Sequence, residues 1–216
     1  MSVKKLAVIG EGRMGSGIAQ HIAACGIPVV LDGISEQSVS NALGMIEKNY
    51  ARNVEKGRMS EEEKGRALEN ITITSKLEDT ADCEFIIECV YEDAQLKTGI
   101  FAKLNEICPE STIFASNTSA IPISTLANGC GRPDRLVGTH FFNPAPVMKL
   151  VEIVRGFKTS DETLNTAKQL VAELGKVGVV VSDTPGFLVN RLMHAFRNEA
   201  LICLQEGVAT MEDIDT

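Results

Sequence analysis

The chain has 216 residues, 44% hydrophobic and 23% charged, with a formal net charge of −8 and a pI near 5.0. That is enough chain for one well-buried domain plus an appendage, with the composition of an ordinary soluble globular protein. The acidic balance argues against a nucleic-acid partner, whose phosphates want a basic face, but not against a small anion held locally.

No apolar run approaches the ~20 residues that span a bilayer, so no membrane partner is expected. Residues 1–5 lead straight into the apolar run 6–9, which is too short for a signal-peptide core. The cysteines at 25, 83, 89, 108, 130 and 203 form no C-x-x-C pair. Neither a metal site nor a disulfide framework is expected, and a reducing cytoplasm fits best.

In chain order, strands are predicted at 6–9, 29–31, 85–90, 112–115, 136–142, 148–154 and 177–181. Helices are predicted at 14–25, 36–56, 60–69, 94–107 and 161–174. In the first helix Met14, Ile18 and Ile22 recur four apart and make one apolar face. Ser60 with Glu63, and Thr159 with Glu162, read as capping boxes at helix starts. Strand–helix alternation predicts an α/β fold, a doubly wound and mostly parallel sheet of the Rossmann type.

The turn Asp183-Thr-Pro-Gly186 marks a boundary, dividing a nucleotide-binding domain at 1–183 from the start of a helical second domain at 184–216. The helix predicted at 186–206 is apolar around most of its circumference, a pattern that expects neighbours on several sides. Those neighbours are not in this sequence, so the second domain reads as truncated. Association through 186–206, as a homodimer or larger, is expected.

Gly10-x-Gly12-x-x-Gly15 follows a strand and opens a helix. Gly10 allows the tight turn, Gly12 lets backbone approach a pyrophosphate, and Gly15 lets helix pack on sheet. The helix N-terminus then holds the anion. Asp32, ending the second strand, is the candidate for the adenine-ribose hydroxyls. No Lys or Arg lies between Val29 and Glu47, which favours NAD over NADP.

His140 lies in a strand that breaks at Asn143-Pro144. On the next strand Met148, Leu150, Glu152 and Val154 share a face by the two-residue period. Glu152 is therefore a carboxylate on an apolar face, and it needs a partner. His140 is a plausible one, and such a pair suits a general base. Taken alone, His140 reads equally well as a satisfied core histidine. His21 and His194 sit in helical patterns and are read as structural.

Four motifs then carry a resemblance: Gly10-Glu-Gly-Arg-Met-Gly-Ser-Gly-Ile-Ala-Gln20, Ala115-Ser-Asn-Thr-Ser119, His140-Phe-Phe-Asn-Pro-Ala-Pro-Val-Met-Lys-Leu-Val-Glu152 and Asp183-Thr-Pro-Gly-Phe-Leu-Val-Asn-Arg191. In this order and spacing the chain resembles the L-3-hydroxyacyl-CoA dehydrogenases over its whole length, most of all those of bacteria acting on 3-hydroxybutyryl-CoA. The resemblance implies His140 as acid/base on the 3-oxygen, with Glu152 orienting it. It implies Ser119 and Asn190 as hydrogen-bonding residues near the reacting centre. Met14, Asn117, Ser119 and Asn143 would join the glycines at the NAD cleft, and Glu92 and Lys97 would contact the NAD. The substrate implied is a short-chain acyl-CoA thioester.

Lys48, Arg52 and Lys56 recur four apart on one helix face. The resemblance sets Lys56 beside coenzyme A, whose phosphates suit a cationic ridge; a solvated face is the equal reading for Lys48 and Arg52. One departure concerns the ribose acid, which the family carries one residue later, where this chain has Gly33. A one-residue shift in a strand turns a side chain to the other face. Two rival readings stand beside the leading one. The first is a related dehydrogenase of free 3-hydroxy acids. The second is an NAD-binding module with little or no turnover, because its second domain is incomplete.

Overall fold

The computed structural model describes residues 3–216. Met1 and Ser2, which begin the lead-in read against a signal peptide, lie outside the described residues. The strands are β1 (Leu6–Ile9), β2 (Val29–Asp32), β3 (Ile71–Thr74), β4 (Phe85–Glu88), β5 (Ile113–Ser116), β6 (Leu136–Phe141), β7 (Leu150–Arg155) and β8 (Val177–Ser182). The helices are α1 (Arg13–Ala24), α2 (Glu36–Glu55), α3 (Glu61–Glu69), α4 (Ala94–Ile107), α5 (Ile123–Ala127), α6 (Asp161–Glu173), α7 (Val189–Gln205) and α8 (Met211–Ile214). The strands form one sheet in the order β3-β2-β1-β4-β5-β6-β7-β8. The expected doubly wound α/β sheet is therefore present, parallel except where β6 meets β7.

The central strands read Leu-Ala-Val-Ile, Val-Val-Leu-Asp, Phe-Ile-Ile-Glu and Ile-Phe-Ala-Ser and are buried at every residue. That is the signature of parallel strands covered on both faces. Buried side chains accordingly form two clusters, with Leu6, Val8, Ile18 and Phe85 in one and Ala7, Ile9, Phe101 and Phe114 in the other. Strand order reverses between β1 and β4, and the crevice beyond their carboxyl ends is where such sheets bind ligands.

Several elements differ from the sequence reading. β3 was not predicted, since its run Ile-Thr-Ile-Thr is short and half exposed at the sheet edge. α5 was also missed; its five residues are too few for a helical period. α6 is capped one residue later than expected. Ser160 accepts from Thr163 N–H, while the Thr159 hydroxyl donates to Leu136 O at 2.6 Å. β7 begins at Leu150 because Val147 and Met148 N–H bond Pro144 O in a turn, so Met148 is outside the strand face given to it. α7 begins at Val189 rather than 186, because Gly186 (φ 75°) and Phe187 (φ 48°) hold left-handed backbone just before it.

No residue of α7 is buried, and Leu192, Phe196 and Leu201 are 62%, 70% and 63% exposed. The all-round apolar pattern thus meets no cover among the described residues. No helix among them is long and apolar enough to cross a membrane.

Candidate active site

The glycine turn is built as its spacing requires. A Cβ on Gly15 would fall 1.7 Å from Gly10 O, so α1 packs on the turn only through glycine. Gly10, at φ 106°, leaves no room beside the Cys89 carbonyl. At Gly12 a Cβ would meet nothing within 4 Å, leaving open space at the start of α1. No side chain caps that helix, so its first-turn N–H groups face the opening. A dinucleotide pyrophosphate fits this cradle.

A cavity of about 420 Å³ opens beyond β4, β5 and β6. Met14, Glu92, Lys97, Asn117, Ser119, His140, Asn143 and Asn190 all line it, together with Cys89 and Phe142. Residues far apart in sequence are thus brought to one cleft. Gly10 and Gly15 lie behind it in the turn.

His140 and Glu152 are direct partners across the antiparallel β6–β7 ladder. His140 Nδ1 lies 2.7 Å from Glu152 Oε2, and the carboxylate is fully buried. The second carboxylate oxygen, Oε1, accepts Leu188 N–H at 2.9 Å and Val189 N–H at 2.8 Å. Glu152 thus ties the histidine to the start of α7, where a helix dipole favours negative charge. Phe142 and Phe187 flank the imidazole at centroid distances of 4.5 and 5.7 Å. A carboxylate on Nδ1 sets the tautomer and leaves Nε2 for exchange with a ligand.

A second charged cluster underlies the opposite wall. Glu88 and Lys97 are 0% and 1% exposed and meet at 2.7 Å. The Lys97 ammonium also donates to Val90 O at 3.2 Å and pairs with Glu92 at 3.2 Å. All three of its donors are engaged within the protein, so its service to the cleft runs through Glu92. Glu88 further accepts the Ser116 hydroxyl and Val90 N–H, both at 2.7 Å. Burial pushes the Glu88 carboxyl up despite Lys97 beside it.

Glu92 bonds the Thr118 hydroxyl and the N–H groups of Ser119 and Ala120. Burial raises its carboxyl, but the Thr118 bond and the Lys97 charge outweigh that and bring it below the usual range. Asn117 Oδ1 accepts Phe141 N–H at 2.8 Å, locking β5 to the end of β6. The loop carrying Asn143 has a cis Asn143-Pro144 peptide and is held from beneath by Lys176, which donates to Ala145 O and Met148 O. His21 is structural, with Nε2 2.8 Å from Leu174 O; His194 is exposed on α7.

Sequence reading missed Glu88, Ser116, Thr118 and Phe187. Glu88 left a signal, a lone acid ending the apolar run Phe-Ile-Ile-Glu. The others left none, because a buried hydroxyl or a ring at a turn resembles any core residue.

A larger cavity of about 600 Å³ lies between α1 and α2, lined by Arg13, Arg52, Lys56 and Arg58 and by Asn143, which it shares with the first. Lys48 is not among its lining residues, although the four-residue spacing grouped it with Arg52 and Lys56. Asp32 is 8% exposed at the end of β2 and lines neither cavity.

The fold and the glycine cradle define a Rossmann-type NAD-binding oxidoreductase. Residues 5–184 match the 3-hydroxyacyl-CoA dehydrogenase NAD binding domain family, and residues 186–216 match the C-terminal domain of the same enzymes. The chain is 43% identical over 211 residues to a 3-hydroxybutyryl-CoA dehydrogenase of Clostridioides difficile, covering 98% of this chain and 75% of that one. A probable 3-hydroxybutyryl-CoA dehydrogenase of Bacillus subtilis is 42% identical, with 100% and 75% covered. The crystal structure of (S)-3-hydroxybutyryl-CoA dehydrogenase from Ralstonia eutropha superposes with a TM-score of 0.95 at 39% identity, covering 98% of this chain and 75% of that one. The chain belongs to the 3-hydroxyacyl-CoA dehydrogenase family.

Proposed function

We propose that the chain interconverts a short-chain 3-hydroxyacyl-CoA and the 3-oxoacyl-CoA, with His140 as general acid/base and Glu152 as its orienting partner. The observation that carries this reading is the 2.7 Å His140–Glu152 contact at a cleft lined by Ser119, Asn143 and Asn190. NAD, when bound, accepts or supplies the hydride at C3 of the substrate. His140 Nε2 takes the 3-hydroxyl proton during oxidation and returns it during reduction. Glu152 holds the proton on Nδ1 and stabilises the imidazolium that forms. Ser119 and Asn190 orient the 3-oxygen. Phe142 and Phe187 keep water from the imidazole on two sides.

Arg52, Lys56 and Arg58 in the adjoining cavity supply positive charge for coenzyme A phosphates on an acidic protein. That cavity favours a CoA thioester over a free 3-hydroxy acid. The experiment is NADH oxidation by the purified chain with acetoacetyl-CoA and with acetoacetate, alongside His140→Gln and Lys56→Ala. We expect turnover with the thioester, loss of it in His140→Gln, and a raised KM with kcat retained in Lys56→Ala. Preference for the free acid would remove coenzyme A from the reading. Equal rates with His140→Gln would remove the histidine.

A further inference from the structure

Dinucleotide folds of this type put a carboxylate at the end of the second strand to take the ribose hydroxyls. Here that strand ends Asp32-Gly33. Asp32 turns into the protein, 8% exposed and lining neither cavity. The charged groups that face it are Glu11, Asp79 and Glu78, all acids. Gly33 has no side chain to offer.

The space beside Gly33 is nevertheless filled by a carboxylate. A Cβ on Gly33 would lie 2.5 Å from Val39 Cγ1, 2.6 Å from Glu11 Cδ and 2.7 Å from Glu11 Oε2. The carboxyl group of Glu11, with Val39 beside it, therefore occupies the volume that a side chain at position 33 would enter. Glu11 Oε1 reaches Ile34 N–H at 3.4 Å, steering the group toward the β2–α2 loop. Glu11 also lines the larger cavity beside Gly12, on the same side as the uncapped start of α1.

We propose that Glu11, the variable residue inside the glycine turn, is the carboxylate that takes the adenine-ribose hydroxyls of NAD in this chain. Two carboxylate oxygens accept from two adjacent hydroxyls, and the same charge repels a 2′-phosphate. Arg13 lines the same cavity and would attract that phosphate. Discrimination between NAD and NADP therefore rests on Glu11 rather than on a lack of cations. This assignment depends on NAD binding alone and not on the substrate or on His140.

The test is equilibrium binding of NADH and NADPH to the intact chain, followed by nucleotide fluorescence. Variants are Glu11→Ala, the isosteric Glu11→Gln, Asp32→Asn and Gly33→Asp. The unaltered chain is expected to prefer NADH. Glu11→Ala and Glu11→Gln should weaken NADH about ten- to hundredfold, the effect of losing charge-assisted bonds, and should narrow the gap to NADPH. Asp32→Asn should leave the ratio of the two affinities within about twofold, as expected for a group outside the contact. Gly33→Asp should gain nothing, because Val39 and Glu11 are both in the way. An unchanged affinity ratio in both Glu11 variants would overturn the assignment, as would a larger loss in Asp32→Asn or no NADH binding by the unaltered chain.

Discussion

Two carboxylates are fully buried on the same sheet, Glu88 ending β4 and Glu152 within β7. Each faces a cation or a potential one at 2.7 Å, yet the two regions are built for different tasks. Lys97 is itself 1% exposed, and every donor it has is taken by Glu88, Val90 and Glu92. Nothing in that cluster is free to exchange a proton. His140 has its outer edge on the cleft, and the described residues offer no partner to Nε2. Its carboxylate is anchored on the far side by the start of α7. A closed ion pair supports the wall; a pair open on one side can serve chemistry. What separates them is the residual valence of the cationic partner, not the depth of the acid.

The largest expected effect tests the open pair. In Glu152→Gln the side-chain oxygen can still accept Leu188 and Val189 N–H, so the start of α7 should hold. The amide NH2 then faces Nδ1 and moves the imidazole proton to Nε2, the wrong place for a base. Oxidation of 3-hydroxybutyryl-CoA by NAD should fall on the order of 10²–10⁴-fold, the scale of general acid/base catalysis, with the thermal midpoint nearly unmoved. Retained activity would show that the tautomer does not matter and that the open pair serves no more chemistry than the closed one. The closed pair should respond the other way. Lys97→Met removes the counter-charge of the buried Glu88, and should cost about 3–5 kcal/mol of stability in denaturant titration. A Glu88→Leu and Lys97→Met double variant should recover much of that loss. A single variant that keeps wild-type stability would mean the cluster is not structural.

Glu92 stands between the two cases, and its replacement should have a smaller effect. It receives the Thr118 hydroxyl and two backbone N–H groups that fix the turn bearing Ser119. Glu92→Ala should cost roughly 1–3 kcal/mol through those unsatisfied donors and raise the KM for the thioester. Unchanged KM together with unchanged stability would show that the turn holds itself.

The sequence carried the sheet through its apolar runs, because strands covered on both faces leave an unbroken signal. β3 was passed over although its Ile-Thr-Ile-Thr alternation is a strand pattern, because the run is only four residues long at the sheet edge. The His140–Glu152 pair was legible, since an acid in the apolar run Leu-Val-Glu-Ile-Val calls for a partner and the strand period located it. Its third support was not, because backbone N–H groups carry no sequence identity. Lys97 was visible as a residue of the cleft, but its burial was not; the pattern shows that a lysine is present and not that its charge is spent on Glu88. Glu11 was passed over because the glycine fingerprint treats its position as free. Only the clash at Gly33 reveals what it fills.

A pH-dependent effect concerns the buried acid that has neither a lysine nor a histidine. Burial pushes the Asp32 carboxyl up to about 7, with the charges of Glu11, Asp79 and Glu78 adding to the shift. The sign follows from linkage: a carboxyl raised on folding favours the folded state when protonated. Its contribution is full below pH ~4, the unfolded value, and is lost as pH rises to about 7. Asp32→Asn removes the charge and keeps the shape. The variant should match the parent in thermal midpoint near pH 4, exceed it increasingly up to about pH 7 and keep that margin above. Bound NAD must be absent from both samples, since ligand binding moves the midpoint by mass action. Parallel curves across the range would mean that Asp32 finds in solvent the compensation Glu88 finds in Lys97, and that a buried acid on this sheet needs no partner at all.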